Sequence, residues 1–172
     1  MPRSQQPEDG EKLVLDAILS NPLAKVLDVG CGDGKWSILT GKVSICHGIE
    51  AWQNYVIKFD LEEKYDELFI LDVKEFDEFE NYDIVILGDV LEHLEYKDAL
   101  VVVDKIKSSG ATAYLIIPIS LCVQDGMFYG NPYETHRYQW THRELVDLGF
   151  KQLHEGTNPN GLVKIGTYIL SK

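Results

Sequence analysis

Positive charge is scarce in this sequence: 16 lysines and arginines stand against 28 aspartates and glutamates, a formal net charge of −12 over 172 residues. So acidic a surface meets phosphate backbones and anionic lipid against long-range repulsion, so neither nucleic acid nor membrane is expected as a partner. Cysteine is equally thin. Cys31, Cys46 and Cys122 are odd in number, widely spaced and without a CxxC pair, which argues against a disulfide framework and against a thiolate metal site. No uninterrupted apolar run reaches the roughly 18 residues that a membrane span needs. The opening "MPRSQQPEDGEK" has no apolar stretch of the kind that directs secretion. A cytoplasmic protein with reduced cysteines is the expectation.

What is present is a core. With 45% hydrophobic residues, the chain is long enough for one domain, taken as 1–172 with residues 1–10 flexible, and short for a second. Leu13, Val14, Ala17 and Ile18 recur at helical spacing until Ser20-Asn21-Pro22 stops them. Residues 25–29 read as a buried strand, followed by a glycine loop and a short helix to about Thr40. Strands are expected at 44–50, 67–73, 82–90 and 112–120. Between them lie a helix marked by Trp52, Tyr55, Val56 and Phe59, a helical turn near Phe76 and Phe79, and a helix from Tyr96 to Ile106 closed by Ser108-Ser109-Gly110. A long polar and aromatic loop, 121–140, precedes Thr141-His142-Arg143-Glu144, which has the form of a capping box. Two last strands, about 150–155 and 164–171, flank "GTNPNG". Strands alternating with helices predict an α/β fold, a Rossmann-like sheet, mostly parallel, with helices on both faces.

In such sheets a ligand lies beyond the carboxyl ends of the strands. Those ends carry Asp28 with the loop after it, then Glu50, Asp72 and Asp89. Glu50 lies 20 residues beyond Gly30, the spacing at which an acidic side chain accepts hydrogen bonds from ribose hydroxyls. The pyrophosphate fingerprint, however, is lacking. Gly30, Gly32 and Gly34 make G-x-G-x-G, with Lys35 where the third glycine of a dinucleotide loop belongs. Asp28 and Asp33 would also repel a diphosphate. The residues therefore point to a ribonucleoside without phosphates that carries positive charge.

"VLDVGCGDG", "GIE", "LDV" and "IVILGDVLEHL", in that order between about residues 24 and 120, resemble the class I S-adenosylmethionine-dependent methyltransferases. The resemblance implies a seven-stranded sheet in the order 3-2-1-4-5-7-6, with strand 7 antiparallel, and S-adenosylmethionine as cofactor. It implies that Gly30, Gly32 and Gly34 let the backbone approach the methionine moiety, with Asp28 organising the loop or its ammonium contact. Glu50 would hold the ribose diol, with Ala51 beside it. Asp72 would accept from the adenine amine while Val73 covers the ring, and Asp89 and Val90 would line the sulfonium side.

The sulfonium is already an activated electrophile, so the protein needs chiefly to align an acceptor, and a hydroxyl acceptor gains from a base. His93, about a helical turn beyond Asp89, is one candidate, or else a wall of the pocket; Glu92 beside it is expected to be solvent exposed. "NPYETHRYQW" (131–140) supplies His136 as the other candidate, with Tyr133, Arg137 and Trp140 shaping an acceptor pocket. This stretch resembles the "NPYH…" segment of small bacterial methyltransferases acting on sugars or other small metabolites, although Glu134-Thr135 intervene before His136. The acceptor expected is thus a small molecule, with O-methylation of a sugar-like metabolite as the refinement. The Asp-Asn pair of catechol-type magnesium enzymes is absent after strand five, so no metal is expected. Two other readings stay open: a catalytically silent cofactor-binding subunit serving a partner, and methylation of a protein side chain.

Overall fold

The computed structural model describes residues 9–41, 44–126 and 130–171. Seven strands form one sheet: β1 (Lys25–Val29), β2 (Ile45–Ile49), β3 (Glu67–Phe69), β4 (Ile84–Gly88), β5 (Thr112–Pro118), β6 (Lys151–Thr157) and β7 (Lys164–Leu170). Their order is β3-β2-β1-β4-β5-β7-β6. The first five run parallel, and β7 lies antiparallel to both β5 and β6. This is the Rossmann-like topology expected.

Side-chain alternation divides the core. Leu27 and Val29 of β1 join Val85 and Leu87 of β4 and Leu115 and Ile117 of β5 on one face. Val26, Ile84, Ile86, Tyr114 and Ile116 form the other. Because β1 and β4 bury side chains on both faces, each must be covered twice. Helices α1 (Asp9–Leu19), α2 (Lys35–Thr40) and α3 (Gln53–Lys58) cover the second face through Val14, Ile18, Trp36 and Val56. Helices α4 (Tyr96–Ser109) and α5 (His142–Asp147) cover the first through Ala99, Val102, Val103, Ile106 and Leu145. The Thr141 capping box is formed, its hydroxyl and the Glu144 carboxylate satisfying each other's backbone N–H groups.

Three expectations are corrected. Residues 1–8 of the segment expected to be flexible lie outside the described residues, but Asp9 and Gly10 open α1. Gly10 is buried so close to β7 that a Cβ there would meet Thr167 Oγ1 at 2.1 Å. The third strand, expected over 67–73, stops at Phe69. Its early end follows from Asp72, whose carboxylate accepts the Lys74 N–H at 3.1 Å and turns the chain into a 3₁₀ turn, Val73–Glu75. A second such turn, Phe79–Asn81, follows, so the single turn expected near Phe76 and Phe79 is two.

Candidate active site

The chain reverses its direction of travel across the sheet at β1 and β4, and the crevice beyond their carboxyl ends is where an α/β sheet opens to a ligand. The loop from β1 enters with Gly30, Gly32 and Gly34 at φ of 63°, 54° and 78°. At Gly30 the need for glycine is double, since the left-handed conformation disfavours a side chain and a Cβ would come within 2.9 Å of Val90 Cγ2. Val90, buried in the core past the end of β4, thereby sets how closely that loop can approach it.

Glu50, just past β2, is buried and tied to the loop: Oε2 accepts from the Gly32 N–H at 3.0 Å and Oε1 from the Trp52 N–H at 2.9 Å. Burial pushes its carboxyl pKa up, while the Trp52 and Gly32 N–H groups pull against that rise. Asp28 is held deeper. Its carboxylate accepts from the Tyr65 hydroxyl at 2.5 Å, and burial raises its pKa to about 7 against that hydrogen bond, with Glu50 and Asp33 adding to the rise. Ala51 is half-buried beside Glu50, and Val73 is buried in the core under the turn that Asp72 caps. Asp72 also pairs with Lys74 Nζ at 3.2 Å. Asp89 follows β4 in a left-handed conformation, φ 54°, which aspartate tolerates better than most residues with a side chain.

Residues 131–138 cross this rim. Asn131 is buried, and it and Glu134 both act on the Tyr55 phenol of α3, while Glu134 also acts on Glu50. Further along, the Arg137 and Tyr138 N–H groups donate to the Glu92 carbonyl at 2.8 and 3.2 Å, which pins the segment to a 3₁₀ turn, Leu91–His93, after β4. His93 and His136, 43 residues apart in sequence, meet with ring centroids 4.8 Å apart and planes at 71°. His93 Nδ1 lies 3.2 Å from the Thr135 carbonyl, and His136 Nδ1 lies 2.6 Å from the Cys122 carbonyl. Burial and then the neighbouring His136 lower the His93 pKa, which favours the neutral ring.

Glu92, expected to face solvent, is 1% exposed on the 3₁₀ turn that the crossing segment covers through the Glu92 carbonyl. Trp140, expected to shape an acceptor pocket, is 0% exposed and packs against Tyr96 and Tyr138 in the core, so its place is structural. Tyr133 is exposed on a short turn, Pro132–Glu134, and Arg137 reaches Glu95 at 3.5 Å near the surface. Glu92 is the residue that sequence reasoning missed. Its position between Asp89 and His93 could have marked it, but a carboxylate in a polar run reads as solvated until the turn is known. A separate cavity of about 490 Å³ opens between the start of α1 and β6–β7, lined in part by Glu11, His154, Thr157 and Thr167. None of the strand-end carboxylates lines it.

A sheet of this order with a glycine loop and an acidic rim at its switch point defines a Rossmann-like α/β domain of the methyltransferase type. The chain belongs to the methyltransferase domain family, whose model matches residues 4–158. None of the curated proteins matches it by sequence. Solved structures match by fold. TehB from Haemophilus influenzae superposes with a TM-score of 0.70 at 18% identity, over 94% of this chain and 62% of that one, so this chain spans less than two thirds of that protein. The 1,6-didemethyltoxoflavin-N1-methyltransferase of Burkholderia thailandensis, solved with its substrate and S-adenosylhomocysteine, gives 0.66 at 16% identity, over 93% and 76% of the two chains. Magnesium protoporphyrin IX methyltransferase of Synechocystis PCC 6803, solved with S-adenosylmethionine, gives 0.62 at 19%, over 94% and 80%.

Proposed function

We propose that this chain, as one domain, is an S-adenosylmethionine-dependent methyltransferase acting on a small-molecule acceptor, with a hydroxyl of a sugar-like metabolite as the preferred target. The observation that carries the reading is Glu50, buried at the end of β2 and joined to the glycine loop of β1 through the Gly32 N–H. A carboxylate has about four acceptor positions, so Glu50 keeps capacity for a ribose diol while it shapes the loop. The cofactor is cationic at both its sulfonium and its ammonium, which suits a rim carrying Glu50, Asp72 and Asp89, with Asp28 buried beneath it. The family match and the S-adenosylhomocysteine held by the Burkholderia enzyme support the same cofactor.

When bound, S-adenosylmethionine supplies a methyl group already activated on sulfur. The chain's own task is alignment. Glu50, with Ala51 beside it, fixes the nucleoside; Asp72 and Val73 receive the base; Gly30, Gly32 and Gly34 admit the amino-acid end, with Asp28 bracing the loop from beneath. Asp89 and Val90 hold the sulfur side. Residues 131–138 form the opposite wall, so that His93 and His136 meet the polar group of the acceptor and Tyr133 and Arg137 border its entrance.

Calorimetric titration with S-adenosylhomocysteine tests this, with NAD as control. We expect saturable binding of S-adenosylhomocysteine alone, and Glu50→Ala should weaken it by about 1–3 kcal/mol, the scale for hydrogen bonds to a charged group. Binding of neither compound, or an unchanged affinity in a folded Glu50→Ala protein, overturns the placement of the cofactor.

A further inference from the structure

The crossing segment brings together three groups that no role in cofactor binding uses. Glu92, His93 and His136 each offer one ligand atom, and these atoms lie within 4.8 Å of one another. We propose that these three side chains bind one divalent transition-metal cation, of the manganese, iron(II), cobalt(II) or zinc class, at the edge of the candidate active site. The sequence alone, lacking the acidic pair of magnesium-dependent relatives, suggested no metal.

The donor set selects the class. Hard cations such as magnesium and calcium prefer all-oxygen shells, whereas two imidazoles and one carboxylate suit first-row transition metals and leave coordination positions open. The imidazoles are also oriented for the task. Each Nδ1 faces a backbone carbonyl, Thr135 for His93 and Cys122 for His136, so Nδ1–H donates there and Nε2 keeps its lone pair for a ligand. Such outer contacts fix tautomer and ring direction at metal-binding histidines. The backbone holds the ligands in register as well, through the Arg137 and Tyr138 N–H groups on the Glu92 carbonyl and the His136 N–H on the Gln124 carbonyl at 3.0 Å.

Charge favours the same occupant. Asp89 and Glu134 both act electrostatically on His93, so a cation would enter a negative environment. Ligands bound at about 2.0–2.2 Å stand about 3 Å apart when adjacent, so the three must close slightly from their present spread. His93 and His136 are only half-buried, which leaves them room to do so. The site rests on this geometry alone; that its open positions would receive an acceptor oxygen rests on the methyl-transfer reading.

The test is titration of chelator-stripped full-length protein with Co²⁺, read from its visible d–d bands, with Zn²⁺ and Mg²⁺ as competitors. We expect one Co²⁺ per chain, displaced by Zn²⁺ and not by equal Mg²⁺. His136→Gln and His93→Ala should each weaken binding at least about tenfold, and His154→Ala, away from the cluster, should leave it unchanged. His136→Gln sits in an irregular segment and keeps the test decisive if the His93 variant fails to fold. No saturable Co²⁺ binding, binding untouched by His136→Gln, or displacement by equal Mg²⁺ overturns the proposal. S-adenosylhomocysteine titration of the same stripped protein separates a failure here from a failure of the cofactor reading.

Discussion

Asp28 shows how a single side chain can be both necessary and costly. Its carboxylate sits 2% exposed beneath the glycine loop, with Tyr65 as donor, and its pKa stands at about 7 chiefly because burial penalises the charge. A folded-state pKa above the unfolded value means that this group favours folding below the ordinary carboxylate range, and that this contribution is lost as pH rises through about 7. Urea midpoints measured across pH 4 to 7, about the window between those two pKa values, should therefore fall more steeply for the natural protein than for Asp28→Asn. The amide can still accept from Tyr65 and has no charge to bury. Equal slopes would mean that Asp28 is ionised throughout. The thiols nearby are a contrast: burial first, and then Asp28, push Cys31 and Cys46 upward, so both are inert core groups.

Among the elements, α5 is the clearest case of local sequence deciding local structure. Thr141 and Glu144 cap a helix of only 6 residues, too short to persist alone, and Leu145 docks it on the core. Thr141→Ala should cost about 1 kcal/mol in chemical denaturation and leave S-adenosylhomocysteine affinity unchanged. Trp140 immediately before it is fully buried against the paired rings of Tyr96 and Tyr138. Truncation to alanine should cost about 3–5 kcal/mol by the same measurement, far more than a residue lining an open pocket would. The two outcomes together distinguish a segment fastened by its core from one ordered by ligand. β3 illustrates the reverse case. Its sequence predicts seven residues of strand, yet the competing hydrogen bond that Asp72 accepts from the Lys74 N–H ends it at Phe69.

At the scale of the whole molecule, the net charge of −12 favours cationic ligands. S-adenosylmethionine carries one positive charge more than S-adenosylhomocysteine, so its affinity should fall more as salt is raised; parallel curves in calorimetry would assign the acidic surface to solubility alone. The sequence by itself determined the parallel core of the fold. β1, β4 and β5 are apolar runs bounded by glycine, proline or polar residues, and both the capping box at Thr141 and the glycine positions of the β1 loop are local rules that no distant contact overrides. It also set Glu50 and Asp89 just past β2 and β4, which stop close to where their apolar runs end, whereas β3 stops short of Asp72. Only the tertiary structure decided that Glu92 turns inward, that Trp140 is core, and that His93 meets His136 across 43 residues of chain. Those outcomes depend on how residues 131–138 cross the rim and bond to the Glu92 carbonyl. Periodicity carries no information about such non-local contacts.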